Sequence, residues 1–189
     1  TPIYDFFKKN GLSIGIGILS FLFLFKIGEA FLGRMSLIFY KEIGFTKSDI
    51  GIFSKGLGWV TTVLFTLIGG FLTVKIGLVR SIFIAGIFMA VTNLLFSLLF
   101  WTGKNYLIFS IAVILDDLAA AFATVAFVAF ISVLVNRQYT ATQYALLASI
   151  GTLGRTTLAS SSGSLVDYLN GNWGLFFIIT CLMVIPSLV

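Results

Sequence analysis

The sequence predicts an all-α membrane protein, a six-helix transmembrane bundle. Three observations carry that expectation. Of the 189 residues, 59% are hydrophobic and only 10% charged, against about 45–50% and 25% in soluble domains. Mean hydropathy is +1.09. The apolar residues fall into six long runs, each near the roughly 20 residues that a helix needs to cross a bilayer. Barrel strands are about 10 residues long and alternate in polarity, so run length excludes a β-barrel.

The elements follow in order. Thr1 to Asn10 is short, polar and basic, like the end of a cytoplasmic linker, and a six-span unit is expected over residues 11–189. The first span covers about Leu12 to Phe39, with Gly11 and Gly15 in a small-residue packing pattern. A mixed-charge loop, Tyr40 to Asp49, leads to a second span over about Ile50 to Val74. Gly51, Gly56 and Gly58 there would permit close helix approach. After a turn at Lys75 to Arg80, the third span covers about Val79 to Phe100 and holds one mildly polar residue, Asn93. Trp101 to Tyr106 is a tight loop with interfacial aromatics. The fourth span, about Leu107 to Leu134, carries Asp116 and Asp117 near its centre. The fifth, about Ala141 to Leu165, includes Arg155 and the small run Ser160 to Ser164. The sixth starts near Gly174 and is still apolar at Val189. The chain begins without Met and stops inside that run, so we expect an excerpt of a longer protein.

Loop charges orient the bundle. With the N-terminus inside, the inner loops hold Lys8, Lys9, Lys75, Arg80 and Arg137. The outer loops hold Lys41, Lys47 and Lys104, diluted by Glu42, Asp49 and Asp167. Five against three favours that orientation. The net charge of +5 therefore reports topology. No basic run exceeds Lys8-Lys9, which gives nucleic acid no footing. There is no His and a single Cys, Cys181. His-based acid–base catalysis, most metal sites and any internal disulfide are excluded. Cys181 reads as a small packing residue. No cofactor, metal or catalytic residue is expected.

Ionisable residues inside the spans are the functional signal. An ionised side chain at mid-bilayer costs about 2.5–3.5 kcal/mol on insertion scales, and an anchor has no use for it. Seven such residues stand here: Lys26, Glu29, Arg34, Lys55, Asp116, Asp117 and Arg155. Four cations and three acids allow near-complete pairing. Lys26 and Glu29, three apart, share one helix face. Asp116 and Asp117 diverge by about 100°, so at most one shares a cavity with Glu29. The other caps a neighbouring span or pairs with Lys55 or Arg155. Arg34, near a helix end, reads as snorkelling to the interface. Gln143 and the serines of 160–164 are candidate hydrogen-bond donors to a polar ligand, although serines also serve close helix packing. A desolvated carboxylate can load and release a proton near neutral pH, so the set reads either as structural salt bridges or as a substrate and proton pathway. Spans one and four each bear two ionisable residues near mid-depth, Lys26/Glu29 and Asp116/Asp117, spans two and five one cation each, and spans three and six none. That three-plus-three pattern fits a transporter half built from inverted repeats.

Several motifs carry a resemblance. Gly70-Phe-Leu-Thr-Val-Lys75-Ile-Gly77-Leu-Val-Arg80 resembles the cytoplasmic loop signature of the major facilitator superfamily, with Val74 at its acid position. Tyr139-Thr-Ala-Thr142-Gln143-Tyr-Ala-Leu-Leu-Ala, followed by Gly154-Arg155, is similar to the AmpG muropeptide permease family and the related acetyl-CoA transporter family. So are Phe25-Lys26-Ile-Gly28-Glu29-Ala30-Phe31, Gly44 to Gly51, Ser54-Lys55-Gly56-Leu57-Gly58 and Ala126 to Ala129. Where that family's pattern has Glu-Asn-Leu and a Gly-rich stretch, this chain has Asp116-Asp117-Leu118 and Ala119 to Ala121. The extra acid changes the cavity's charge, and the alanines stiffen the helix. The resemblance implies the C-terminal half of a twelve-span major facilitator superfamily transporter, multi-pass in the bacterial inner membrane. It implies proton-driven import of GlcNAc-anhydro-MurNAc and its peptides for cell-wall recycling, and no enzyme activity. The implied partners are a muropeptide-like small molecule, protons, the lipid bilayer and the missing N-terminal six-span half. The implied proton-coupling and substrate-cavity residues are Lys26, Glu29, Lys55, Asp116, Asp117, Gln143 and Arg155. Another anionic cargo such as acetyl-CoA, or a non-transporting interaction or sensor protein, are the alternatives.

Overall fold

The computed structural model describes residues 2–135 and 139–188. Arg137, one of the inner-loop charges, lies outside them. Among the described residues there are helices and turns and no strand. A short amphipathic helix, α1 (Pro2–Asn10), leads into α2 (Leu12–Leu24) and α3 (Ile27–Glu42). Next come α4 (Lys47–Ile50), a π-helical stretch over Gly51–Leu57, and α5 (Gly58–Ile76). Then follow α6 (Leu78–Thr102), α7 (Tyr106–Leu134), α8 (Thr140–Ser160), α9 (Ser162–Tyr168), α10 (Trp173–Val184) and a 3-10 turn, Ile185–Ser187.

Four of these runs are long and apolar enough to cross a membrane: Leu12–Glu42, Lys47–Ile76, Leu78–Thr102 and Tyr106–Leu134. Trp173–Ser187 is apolar but short. The polar residues of α8 and α9 keep that pair out of the apolar class, although together they match the others in length. Helix starts are chemically marked. Thr46 and Asp49 exchange hydrogen bonds as a capping box, which satisfies backbone N–H groups that a helix start leaves unpaired. The Asn105 side chain accepts from Leu107 and Ile108 N–H. Asn172 accepts from Leu175 N–H.

Helices α6 and α7 pack together at the centre, with α5 against α7, α10 against α6, and α8 against α2 and α3. The apolar interior is divided in two. One cluster gathers Phe39, Tyr40, Phe96, Phe109, Trp173 and Phe177. Most of its rings meet edge-on or tilted, as in Phe39 on Phe177 at 4.7 Å, an arrangement that ring quadrupoles favour, while Trp173 stacks on Phe177. The second cluster gathers Leu22, Phe25, Met89, Phe122, Phe127 and Leu147. The α2–α8 crossing depends on Gly154. A Cβ there would overlap the Phe23 carbonyl, so any larger residue must push the helices apart. The expected role of Gly51 and Gly56 in helix approach is corrected. A Cβ on Gly51 would meet nothing, and one on Gly56 only the carbonyl of its own turn.

Candidate functional site

Five helical runs each change from one apolar cluster to the other along their length, and the polar residues sit at the change. Phe25 belongs to the second cluster and Ile27 to the first, with Lys26 between them. Met89 and Phe96 flank Thr92 and Asn93. Val113 and Ala119 flank Asp116 and Asp117. Arg155 falls between Ile150 and Leu158, and Thr61 between Phe53 and Leu72. The result is a polar layer at mid-depth, between two greasy cores. A helix fills such a layer by placing one or two polar side chains in an otherwise apolar run, so the layer is written span by span in the sequence.

The helices deform where they enter this layer. The first span breaks at Phe25 and Lys26, and Lys26 has φ −93° and ψ 17°. That is the sparsely allowed bridge region, where many site residues sit. The second span widens into the π-helical stretch that carries Lys55, and π-bulges concentrate at functional sites. The helical run after α7 breaks at Ser161, between α8 and α9. Broken spans at mid-depth are tolerated where backbone is buried in protein or lines a wet cavity.

Glu29 is the hub. One carboxylate oxygen, Oε2, lies 3.2 Å from Lys26 Nζ. The other, Oε1, lies 3.2 Å from Arg155 Nη2, across the α3–α8 contact. Lys26 Nζ also donates to Thr124 Oγ1 on α7 at 2.8 Å. Three helices are thereby joined through one acid. Side-chain exposure is 14% for Lys26 and 17% for Glu29, but 46% for Arg155. The lysine pair is thus enclosed, while the arginine faces open space.

The aspartates separate as their 100° divergence requires. Asp116 accepts from Thr92 Oγ1 on α6 at 3.3 Å and is within electrostatic reach of Glu29. Asp117 accepts from Thr61 Oγ1 on α5 at 2.7 Å. It presses on Gly58, where a Cβ would stand 3.1 Å from Asp117 Oδ2. Asp116 is therefore the acid that shares the Glu29 neighbourhood. Neither aspartate forms an ion pair with Lys55 or Arg155 among the described residues, so near-complete pairing gives way to threonine hydroxyls. Lys55 is exposed on the π-helical stretch, within electrostatic reach of Asp117.

Other sequence candidates lie elsewhere. Gln143 is buried beside Phe6, Leu19 and Leu147, in an apolar cavity of ≈ 120 Å³. It is 12 residues from Arg155 on the same helix, about 18 Å along the axis, so it is not part of the Glu29 cluster. The hydroxyls of Ser160, Ser161 and Ser162 donate to carbonyls three residues earlier, at 2.6, 2.7 and 2.6 Å, and are committed to their own helix where it breaks. Arg34 is exposed, and it lines the cavity of ≈ 260 Å³ that also holds Gly33, Arg155, Thr156 and Ser160. Charge counting alone misses Thr61, Thr92 and Thr124. Their signal is a hydroxyl at mid-span, three or four residues from no other polar group.

No protein-family model matches the chain. Curated relatives match it throughout. It is 35% identical over 188 residues to a Rickettsia felis protein named "Putative transporter AmpG 4", covering 100% of this chain and 44% of that protein. It is 31% identical over 190 residues to the "Anhydromuropeptide permease" of Escherichia coli, covering 100% of this chain and 38% of the permease. The chain thus spans less than half the length of these relatives.

Proposed function

From the chain's membership, over its full length, of the AmpG family of transporter sequences, we propose that it forms the C-terminal six-span half of a twelve-span major facilitator transporter in the bacterial inner membrane. Its cargo is a muropeptide, imported by proton symport, and it is not an enzyme. Residues 11–189 make up the half, and α8 with α9, and α10 with its 3-10 turn, supply the fifth and sixth crossings. The missing N-terminal half supplies the opposite wall of the pathway.

The carrying observation is Glu29 held between Lys26 and Arg155 in the mid-depth polar layer. Charges placed there at a cost of about 2.5–3.5 kcal/mol each mark a solute or ion route. A proton on Glu29 removes the charge that both cations answer to. Lys26 keeps Thr124 as a partner, whereas Arg155 loses its recorded ion-pair partner and turns to the open cavity. Protonation therefore changes which group Arg155 prefers, and that couples a proton to an anionic cargo. Asp116, within electrostatic reach of Glu29, is the second proton carrier of the layer, and the broken spans are where the helices bend between outward-open and inward-open states.

The test is uptake of labelled anhydromuropeptide by vesicles containing the full-length protein, with and without a proton uncoupler. Uptake abolished by the uncoupler, and by Glu29→Gln in protein that still inserts, supports the reading. Uptake indifferent to neutralisation of Glu29, Asp116 and Asp117 removes the coupling role. The cationic excess around Arg155 also suits another anion such as acetyl-CoA. Competition between the two cargoes decides between them.

A further inference from the structure

We propose that Arg34 and Arg155 together form a carboxylate-binding subsite in the cleft between α3 and α8. The proposal rests on the transporter reading and adds to it the group on the cargo that this half holds. Both arginines line one cavity of ≈ 260 Å³, with Thr156 and Ser160 on its wall. Arg155 reaches across α3, since a Cβ on Gly33, the neighbour of Arg34, would stand 3.8 Å from its Nη2.

The local charge is unbalanced. Lys26 and Arg155 answer to one carboxylate, Glu29, and Arg34 stands five residues further along α3. Arg34 has no ion pair among the described residues. Two guanidinium groups facing one cleft repel each other unless an anion lies between them, and planar forks match a carboxylate's two oxygens. Arg34 is seven residues from the centre of its span, about 10 Å along the helix. The hydrocarbon half-thickness is about 15 Å, so its Cα lies below headgroup level, beside the cleft. At Thr156 the cleft meets an open groove of ≈ 620 Å³ along α8, lined by Tyr144, Ala148, Ser149, Thr152 and Leu153. An extended solute with polar and apolar parts can therefore lie along α8 with its carboxylate at the arginines. In a muropeptide that carboxylate is supplied by the peptide.

The test measures binding to the purified full-length protein, with N-acetylglutamate and its uncharged diamide as probes. Wild type should prefer the acid by about tenfold or more, the scale of one strong charge-assisted contact. Arg34→Gln should remove most of that preference, and Arg34→Lys should keep part of it, which separates charge from misfolding. Equal binding of the two probes by wild type, or a preference unchanged in Arg34→Gln, overturns the proposal. So does loss of the preference in nanodiscs of phosphatidylglycerol but not phosphatidylcholine, because the arginines would then hold a lipid headgroup. No gradient enters this measurement. Vesicles that take up no anhydromuropeptide would sink the transport reading while leaving the acid preference to stand or fall separately.

Discussion

Neutralising Glu29 has consequences whose size can be worked from the geometry. Its two ion pairs are each 3.2 Å long. At an effective dielectric of about 20, each represents about 5 kcal/mol of direct attraction. Desolvation cancels most of that for an enclosed pair, and water screens a half-exposed one. Lys26 and Glu29 are both enclosed, so their coupling should be about 2 kcal/mol. Arg155 is 46% exposed, so its coupling to Glu29 should be about 1 kcal/mol. The assay is a pair of double-mutant cycles on the purified full-length protein, Glu29→Gln with Lys26→Met and Glu29→Gln with Arg155→Met, read as unfolding free energies in mixed micelles. Lys26→Met should be less damaging in the Glu29→Gln background than in wild type, because the acid it would strand is already gone. Couplings below about 0.3 kcal/mol in both cycles would refute the hub role of Glu29.

Four further outcomes follow from other contacts. Thr61→Val removes the 2.7 Å hydrogen bond to Asp117 and should cost about 1–2 kcal/mol. Thr66→Val, whose hydroxyl bonds only its own helix, should cost less in the same unfolding assay. Gly154→Ala places a Cβ on the Phe23 carbonyl and should destabilise by about 2 kcal/mol or more, while Gly51→Ala stays within about 0.5 kcal/mol. Trp173→Phe gives up the 2.6 Å bond from indole Nε1 to Glu42 Oε2, which ties α10 to the end of α3. A loss of about 1–2 kcal/mol is expected, and an equal loss in a Glu42→Leu background would discount that tie. Asn93 is buried with no partner for Nδ2, so Asn93→Leu should leave stability unchanged or raise it by about 1 kcal/mol. A marked loss would mean that a buried water satisfies the amide.

Much of the fold could be read before the structure because a bilayer allows few solutions. Expected spans at Leu107–Leu134 and Val79–Phe100 fall within a residue or two of α7 (Tyr106–Leu134) and α6 (Leu78–Thr102), since an apolar run must be helical to satisfy its own backbone. The shared face of Lys26 and Glu29 was legible for the same reason: both belong to one local helix. Partners on other helices were not. Asp117 with Thr61, and Arg34 with Arg155, are separated by 56 and 121 positions, and nothing in a single chain's spacing reports which spans touch.

The sequence by itself determined the class of the molecule, the extent of its spans and the presence of charge at mid-depth. Each follows from local composition and the free energy of moving a side chain out of water. Only the tertiary structure decided who answers each charge. It set Glu29 between Lys26 and Arg155, gave the aspartates threonine hydroxyls rather than cations, sent Gln143 to an apolar cavity, and put Arg34 and Arg155 on the wall of one cleft. Those outcomes depend on how α3, α7 and α8 rotate and cross, which is fixed by packing across the whole bundle at contacts such as Gly154 on Phe23.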